Sequence, residues 1–313
     1  MMRRISQGWH ARARRKGSMQ DRGTPRWIGM VGAVAVVVAL PVAWQVRGQG
    51  VASAATVPTA TVVSAITPFD STATKTIAAL CPAGKRVIGG GGRVSGAQNV
   101  VLTRQEPVQA GTGDSYVVAA SEGQNGFTDT WALQAYAICA DPLPNQQIPQ
   151  IVSVTSAPGS EAFQGVSASC PAGKFAVGAG GRINSGGGEV ALSTKAEGSS
   201  WSTRITAAGT EDADGFAGPW SVTAFAVCVT PTSLLDLRIV KVQSASDATN
   251  PKVTAALCPA GKKVTGGTAF SSFPGVVHSV APDANRLQIQ GIARNDSPVG
   301  GVWDLTVVAL CAS

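Results

Sequence analysis

The chain has 313 residues, a formal charge of +7 and 44% hydrophobic residues. That length can bury two or three ordinary cores. The basic excess is no nucleic-acid footprint: residues 1–55 hold nine Lys/Arg against one acid, which leaves the rest with one net negative charge and no basic face for phosphates.

Residues 1–26 read as a basic cytoplasmic tail. Ile28 to Trp44 carry no charge, and seventeen residues at ~1.5 Å each give roughly 25 Å, enough for a thin bilayer or a signal h-region. Residues 27–46 are therefore expected to form a single apolar helix. Lys and Arg before it keep that side cytoplasmic, so the chain beyond should be exported. Ala52-Ser53-Ala54 fits a cleavage site after Ala54, which makes the helix a signal peptide. The long basic lead-in fits a retained anchor instead, holding the membrane through residues 28–44, although a start at Met19 rather than Met1 would shorten it. Residues 47–60 read as a tether.

All six cysteines lie beyond residue 80, an even number in a chain expected to reach an oxidising space. They come in a repeat. Cys81-Pro82-Ala83-Gly84-Lys85 returns at Cys170–Lys174 and at Cys258–Lys262, and a second Cys follows at 139, 228 and 311. A Trp precedes each second Cys by eight residues (Trp131, Trp220, Trp303). A period near 88 residues exceeds the solenoid range, so each unit is expected to be a small domain: residues 61–140, 150–230 and 234–313.

Inside the first unit, runs of Val, Ile, Thr and Ala broken by Gly, Pro, Asp and Asn predict strands over Thr61–Thr67, Lys75–Cys81, Lys85–Val94, Val100–Arg104, Ser115–Ala120 and Trp131–Ala140. The others repeat the plan. Asp141–Pro149 and Thr230–Ser233 read as linkers. Between strands, Pro-Ala-Gly predicts a hairpin with a type I turn, Pro82, Pro171 and Pro259 presetting φ and Gly84, Gly173 and Gly261 taking the left-handed position.

In the last strand, Trp131, Leu133, Ala135, Ala137 and Cys139 share a face by period two, and the opposite face is also mostly apolar, which predicts a strand buried on both sides. Gly89–Gly92 and Gly178–Gly181 are candidates for close backbone approach to its small residues. Threefold repetition selects the pairing Cys81–Cys139, Cys170–Cys228 and Cys258–Cys311. A cyclic scheme (Cys139–Cys170, Cys228–Cys258, Cys81–Cys311) is the rival. The expected fold is all-β: three tandem disulfide-closed β-sandwich-like repeats or, alternatively, one pseudo-threefold β-prism-like assembly.

The Cys-Pro-x-Gly-Lys turn, glycine-rich strand and Trp…Ala-x-Cys strand resemble a module of actinobacterial secreted or membrane-attached proteins. The resemblance covers about residues 57–313, with Gly266-Gly267-Thr268-Ala269 and Phe270 departing from it in repeat three. It implies an exported β-fold and no catalytic residue.

No cofactor or metal is expected. Gly84-Lys85 lacks the Walker context, because Arg86, Phe175 or Lys263 follows the lysine in a strand; Lys85, Lys174 and Lys262 read as solvated. Glu211-Asp212-Ala213-Asp214-Gly215 fails the EF-hand pattern at Thr210 and Ser221 and reads as an acidic surface loop. Trp201, with Tyr116 and Leu287 as counterparts, is expected in the core. His278 is the only histidine beyond residue 10, so a triad is poorly supplied. The chain thus reads as a non-enzymatic exported envelope protein with an adhesive or structural role. The alternatives are a lectin-like module using loops Gly123–Thr130, Gly209–Pro219 and Asn295–Gly301 to bind cell-wall or extracellular glycan, and, further off, a hydrolase.

Overall fold

The computed structural model describes residues 60–110, 113–142, 148–231, 236–296 and 300–313. The basic tail, the apolar segment 28–44, all of the tether but Ala60 and the possible cleavage site after Ala54 lie outside the described residues, as do parts of both linkers.

Each repeat supplies six strands. The first gives β1 (Thr61–Ile66), β2 (Thr74–Leu80), β3 (Arg86–Ser95), β4 (Val100–Val108), β5 (Ser115–Glu122) and β6 (Ala132–Ala140). The second gives β7 (Gln150–Thr155), β8 (Phe163–Ser169), β9 (Phe175–Asn184), β10 (Val190–Glu197), β11 (Arg204–Glu211) and β12 (Ser221–Val229). The third gives β13 (Arg238–Gln243), β14 (Lys252–Leu257), β15 (Lys263–Ser271), β16 (Val276–Pro282), β17 (Gln288–Arg294) and β18 (Leu305–Ala312). No α-helix occurs among the described residues.

Within repeat one, β6 lies between β1 and β3, and β5 lies between β2 and β4. The two antiparallel layers enclose a core in which Leu102, Tyr116 and Val118 meet Trp131, Leu133, Ala135, Ala137 and Cys139. That is the face the period-two pattern picks out. Ile138 and Ala140 on the other face join a different, central cluster. The last strand is accordingly buried along nearly its whole length, and completely so in β12 and β18.

Cys81, just beyond β2, is bonded to Cys139 in β6, so the bridge ties one layer to the other. Cys170–Cys228 and Cys258–Cys311 do the same, with Cα–Cα distances of 5.6, 5.6 and 5.8 Å. Such bridges fit an oxidising compartment.

The turns differ from the hairpin expectation. β2 pairs with β5 while β3 pairs with β6, so Pro82–Lys85 carries the chain from one layer to the other. The Lys85 amide donates to Pro82 C=O at 3.0 Å, and Gly84, third in the turn, has φ of 80°. Positive φ at the third position marks type II rather than type I, and puts Pro82 at the first position. Pro171/Gly173 and Pro259/Gly261 repeat the geometry.

Three tandem sandwiches are not what forms. The layers continue across repeat boundaries: β3 pairs with β16 of repeat three, and β4 pairs with β9 of repeat two. Hydrogen bonding thus yields four sheets, two of six strands and two of three, set in a propeller-like ring. The strands are equivalent by repeat, and their glycines show why they meet. Ile88, Val177 and Thr265 are each an extra bulged residue in β3, β9 and β15. The glycine that follows lies against the next repeat in a cycle. A Cβ on Gly89 would stand 2.9 Å from Gly266 Cα, one on Gly266 2.8 Å from Gly178 Cα, and one on Gly178 3.0 Å from Gly89 Cα. The glycine run therefore serves contact between repeats as much as contact beside its own Cys strand.

The third junction departs from the other two. Gly91 and Gly180 hold the corresponding place in β3 and β9, where a Cβ would collide with the carbonyl oxygens of Val280 and Gln105 in the neighbouring strand. Repeat three has Thr268 there. No ladder forms between β15 and β10; instead the Ala196 amide donates to Thr268 Oγ1 at 3.1 Å. β4 and β16 also bulge, at Thr103 and His278, whereas β10 runs against β11 without a shift.

Candidate functional site

The Cys-Pro turns lie at one end of the strands. At the other end, loops of all three repeats gather around a cavity of about 620 Å³. Repeat one contributes Asn99, Val101 and Gly123–Asn125, and repeat two Phe163, Gly188, Glu189, Ala191–Ser193 and Thr210–Asp214. Repeat three contributes Ser271, Phe273–Val277 and Asp296. β10 forms one wall and the β15–β16 turn another, so the cavity opens beside the unzipped junction.

The loops Gly123–Thr130, Gly209–Pro219 and Asn295–Gly301 are the ones that the lectin-like alternative assigns to glycan. They converge on this single cavity, each through part of its length. Sequence reasoning missed the β3–β4 class of turns: Asn99, Gly188, Glu189 and Phe273 come from them. A signal was present, since each of these turns carries Ser and Gly: Ser95 and Gly96, Ser185 and Gly186, Ser272 and Gly275.

Five carboxylates and no Lys or Arg line the cavity. Glu211 is buried and accepts from the indole Nε1 of Trp220 at 2.7 Å, as Glu122 does from Trp131 at 2.9 Å. Asp296 accepts from the Asn99 amide at 3.0 Å, and its Oδ2 lies 3.1 Å from His278 Nε2. That distance puts the imidazole and the carboxylate in direct contact. Burial alone would raise the Asp296 carboxyl; His278 and the Asn99 amide bring it below its ordinary value.

Glu189, Asp212 and Asp214 remain. The Asp212 amide donates to Glu189 C=O at 3.0 Å, which joins their loops, and Gln124 of repeat one donates to Asp214. Burial, then the charge of Asp214 and, more weakly, Glu189, push the Asp212 carboxyl up. Three like charges here oppose one another. Phe163 and Phe273 stand at the rim, 64% and 58% exposed.

Other singled-out residues fall elsewhere. Trp201 is 51% exposed and packs edge-on against Phe175 at 5.7 Å, contrary to the expectation of a core position. It precedes β11, which starts only at Arg204. Tyr116 is buried and donates to Ala179 C=O of repeat two at 2.8 Å. Among the turn lysines, Lys262 is buried against Asp236, Lys85 pairs with Asp141 and Lys174 donates to Gln150. They brace the turn to neighbouring segments instead of facing solvent alone. His278 faces Asp296 rather than a nucleophile.

Lysines also clamp two of the tryptophans. Lys75 Nζ lies 4.6 Å from the Trp131 ring centroid, donates to Trp131 C=O at 2.6 Å and pairs with Asp70 at 2.7 Å. Lys252, Trp303 and Asp247 repeat the pairing, while Gln164 donates to Trp220 C=O in repeat two. Among the described residues, no three His, Cys, Asp or Glu side chains converge on a metal position.

No protein-family model matches the chain, and no curated protein matches it in sequence. Function is therefore argued from the site itself.

Proposed function

We propose that the chain is an exported, non-enzymatic binding protein of the cell envelope, whose ring carries one composite, lectin-like site for cell-wall or extracellular glycan. The observation that carries this reading is the 620 Å³ cavity built from the loops of all three repeats. Its size suits a small organic ligand. Carboxylates, the amides of Asn99, Gln124 and Asn125, and two exposed rings supply the polar and stacking contacts that sugars use. The resemblance to actinobacterial exported modules belongs to the same proposal, as does attachment through residues 28–44.

Absence of catalysis belongs to the same proposal: His278, the only histidine beyond residue 10, is buried. A glycan array probed with the full-length protein and with Ala191→Trp tests the reading. Ala191 lines the cavity from β10, and an indole there should fill it. Binding by the native protein that the variant loses is expected. A blank array, or equal binding by both proteins, would overturn the site.

A further inference from the structure

We propose that the ligand of this cavity is an oligosaccharide of at least two sugar rings, one stacked on Phe163 of repeat two and another on Phe273 of repeat three. It would thereby bridge the one junction that has no ladder. This rests on the composite-site reading and adds the length of the ligand and the residues that set it. Both phenyl rings stand exposed at the rim of the same cavity. Its volume of about 620 Å³ lies within the range of ~300–1,000 Å³ for sites that enclose a drug-sized ligand, more than a single sugar fills. The amide-bearing loops of repeat one complete the wall, so that the hydroxyl edges and the C–H faces of a sugar both find partners.

The other repeats serve as internal controls for each ring. The amides of Glu122 and Glu211 donate to Ala73 C=O and Ala162 C=O, and the residues that follow, Thr74 and Phe163, pair with Ser121 and Thr210. Thr74 therefore holds the place of Phe163 in repeat one, and Pro251, just before Lys252, holds it in repeat three. All three positions are exposed. Only the one at the cavity carries a ring. Phe273 is second in the turn 272–275 between β15 and β16, where the turn 96–99 between β3 and β4 has Ala97. Ala97 is buried in the core of repeat one, while Phe273 is turned out to the rim. The repeat folds without either ring, and together they expose apolar area beside polar groups, as ligand-binding grooves do.

Calorimetric titration of the full-length protein with two series decides the point: N-acetylglucosamine with its β1,4-linked dimer and trimer, and glucose with its α1,4-linked dimer and trimer. In at least one series the dimer should bind about fivefold tighter than the monomer, or more. Phe163→Thr and Phe273→Ala install the residues of repeat one. Each should cost the dimer about fivefold in affinity, with the native circular dichroism and melting retained. Phe163→Trp should bind the dimer as tightly as the native protein does. A monomer that binds as tightly as its dimer would overturn the proposal and leave the composite site standing. A dimer that loses nothing in either variant, or loses in one alone, would do the same. Failure of both series to bind would also overturn it, and the Ala191→Trp array comparison then shows whether the composite site falls as well. Should Phe273→Ala unfold, Phe273→Leu keeps the apolar bulk without the ring and gives the same readout.

Discussion

Thr268 Oγ1 accepts a hydrogen bond from the Ala196 amide at 3.1 Å, at the one junction of the ring where neighbouring repeats do not share a ladder. At the two laddered junctions the same place is Gly91 and Gly180. One side chain thus separates a closed wall from an open seam. The cavity lies beside that seam, so the departure of repeat three from the glycine pattern is where the ring acquires a site.

Gly91→Thr should copy the open seam onto a closed one. The new Cβ meets the backbone carbonyl of Val280, which no side-chain rotation can relieve. A loss of about 1–3 kcal/mol is expected, as for other overpacked positions. Urea denaturation with the disulfides intact would measure it, and a loss below about 0.5 kcal/mol would contradict the glycine argument.

Tyr116→Phe removes a hydroxyl that reaches from repeat one to the Ala179 carbonyl. That oxygen is left without this partner in a buried setting, and a cost of about 1–3 kcal/mol is expected. The same denaturation should still show a single transition, because the repeats share their sheets and unfold together.

Replacing Cys258 and Cys311 by Ser should cost about 2–5 kcal/mol, the usual range for a native bridge. The bridge joins the two layers of repeat three, whose β15 meets β10 without a ladder. Hydrogen exchange in β10 and β15 should therefore speed up more than in β3 and β6.

Acid should weaken the tryptophan clamps. Asp70 and Asp247 titrate at about 2, chiefly because Lys75 and Lys252 donate to them. An unfolded aspartate titrates near 4. The folded value is the lower one, so the contribution is complete above about pH 4 and is lost as pH falls toward 2. Both carboxylates are half exposed, so solvent screens the effect. Melting temperatures of Asp70→Asn/Asp247→Asn should fall less steeply than those of the native protein over that interval. Parallel curves would contradict the assignment.

Much of the fold is legible in the sequence because it is written in local periodicity. The even spacing of Trp131 and Cys139 places both on one face, and threefold recurrence yields the bridges that the structure contains. Neighbours across repeats are not legible in the same way. β3 and β16 join through backbone groups at Gly92 and Arg93, and no side-chain pattern names a backbone partner. The loops of the site can be picked out as polar segments, but their convergence depends on the ring. Lys262 and Trp201 were misjudged for a related reason: burial there is set by a neighbouring segment, Asp236 in one case and the late start of β11 in the other.

Hydrogen exchange of the full-length protein, with and without a saturating glycan that binds it on the array, tests the composite site most directly. Slowed exchange is expected together in Gly123–Asn125, Gly188–Ser193 and the Ser271–Val277 turn, one segment from each repeat around the cavity. Protection confined to a single repeat, or located at the Cys-Pro turns at the opposite end, would contradict it.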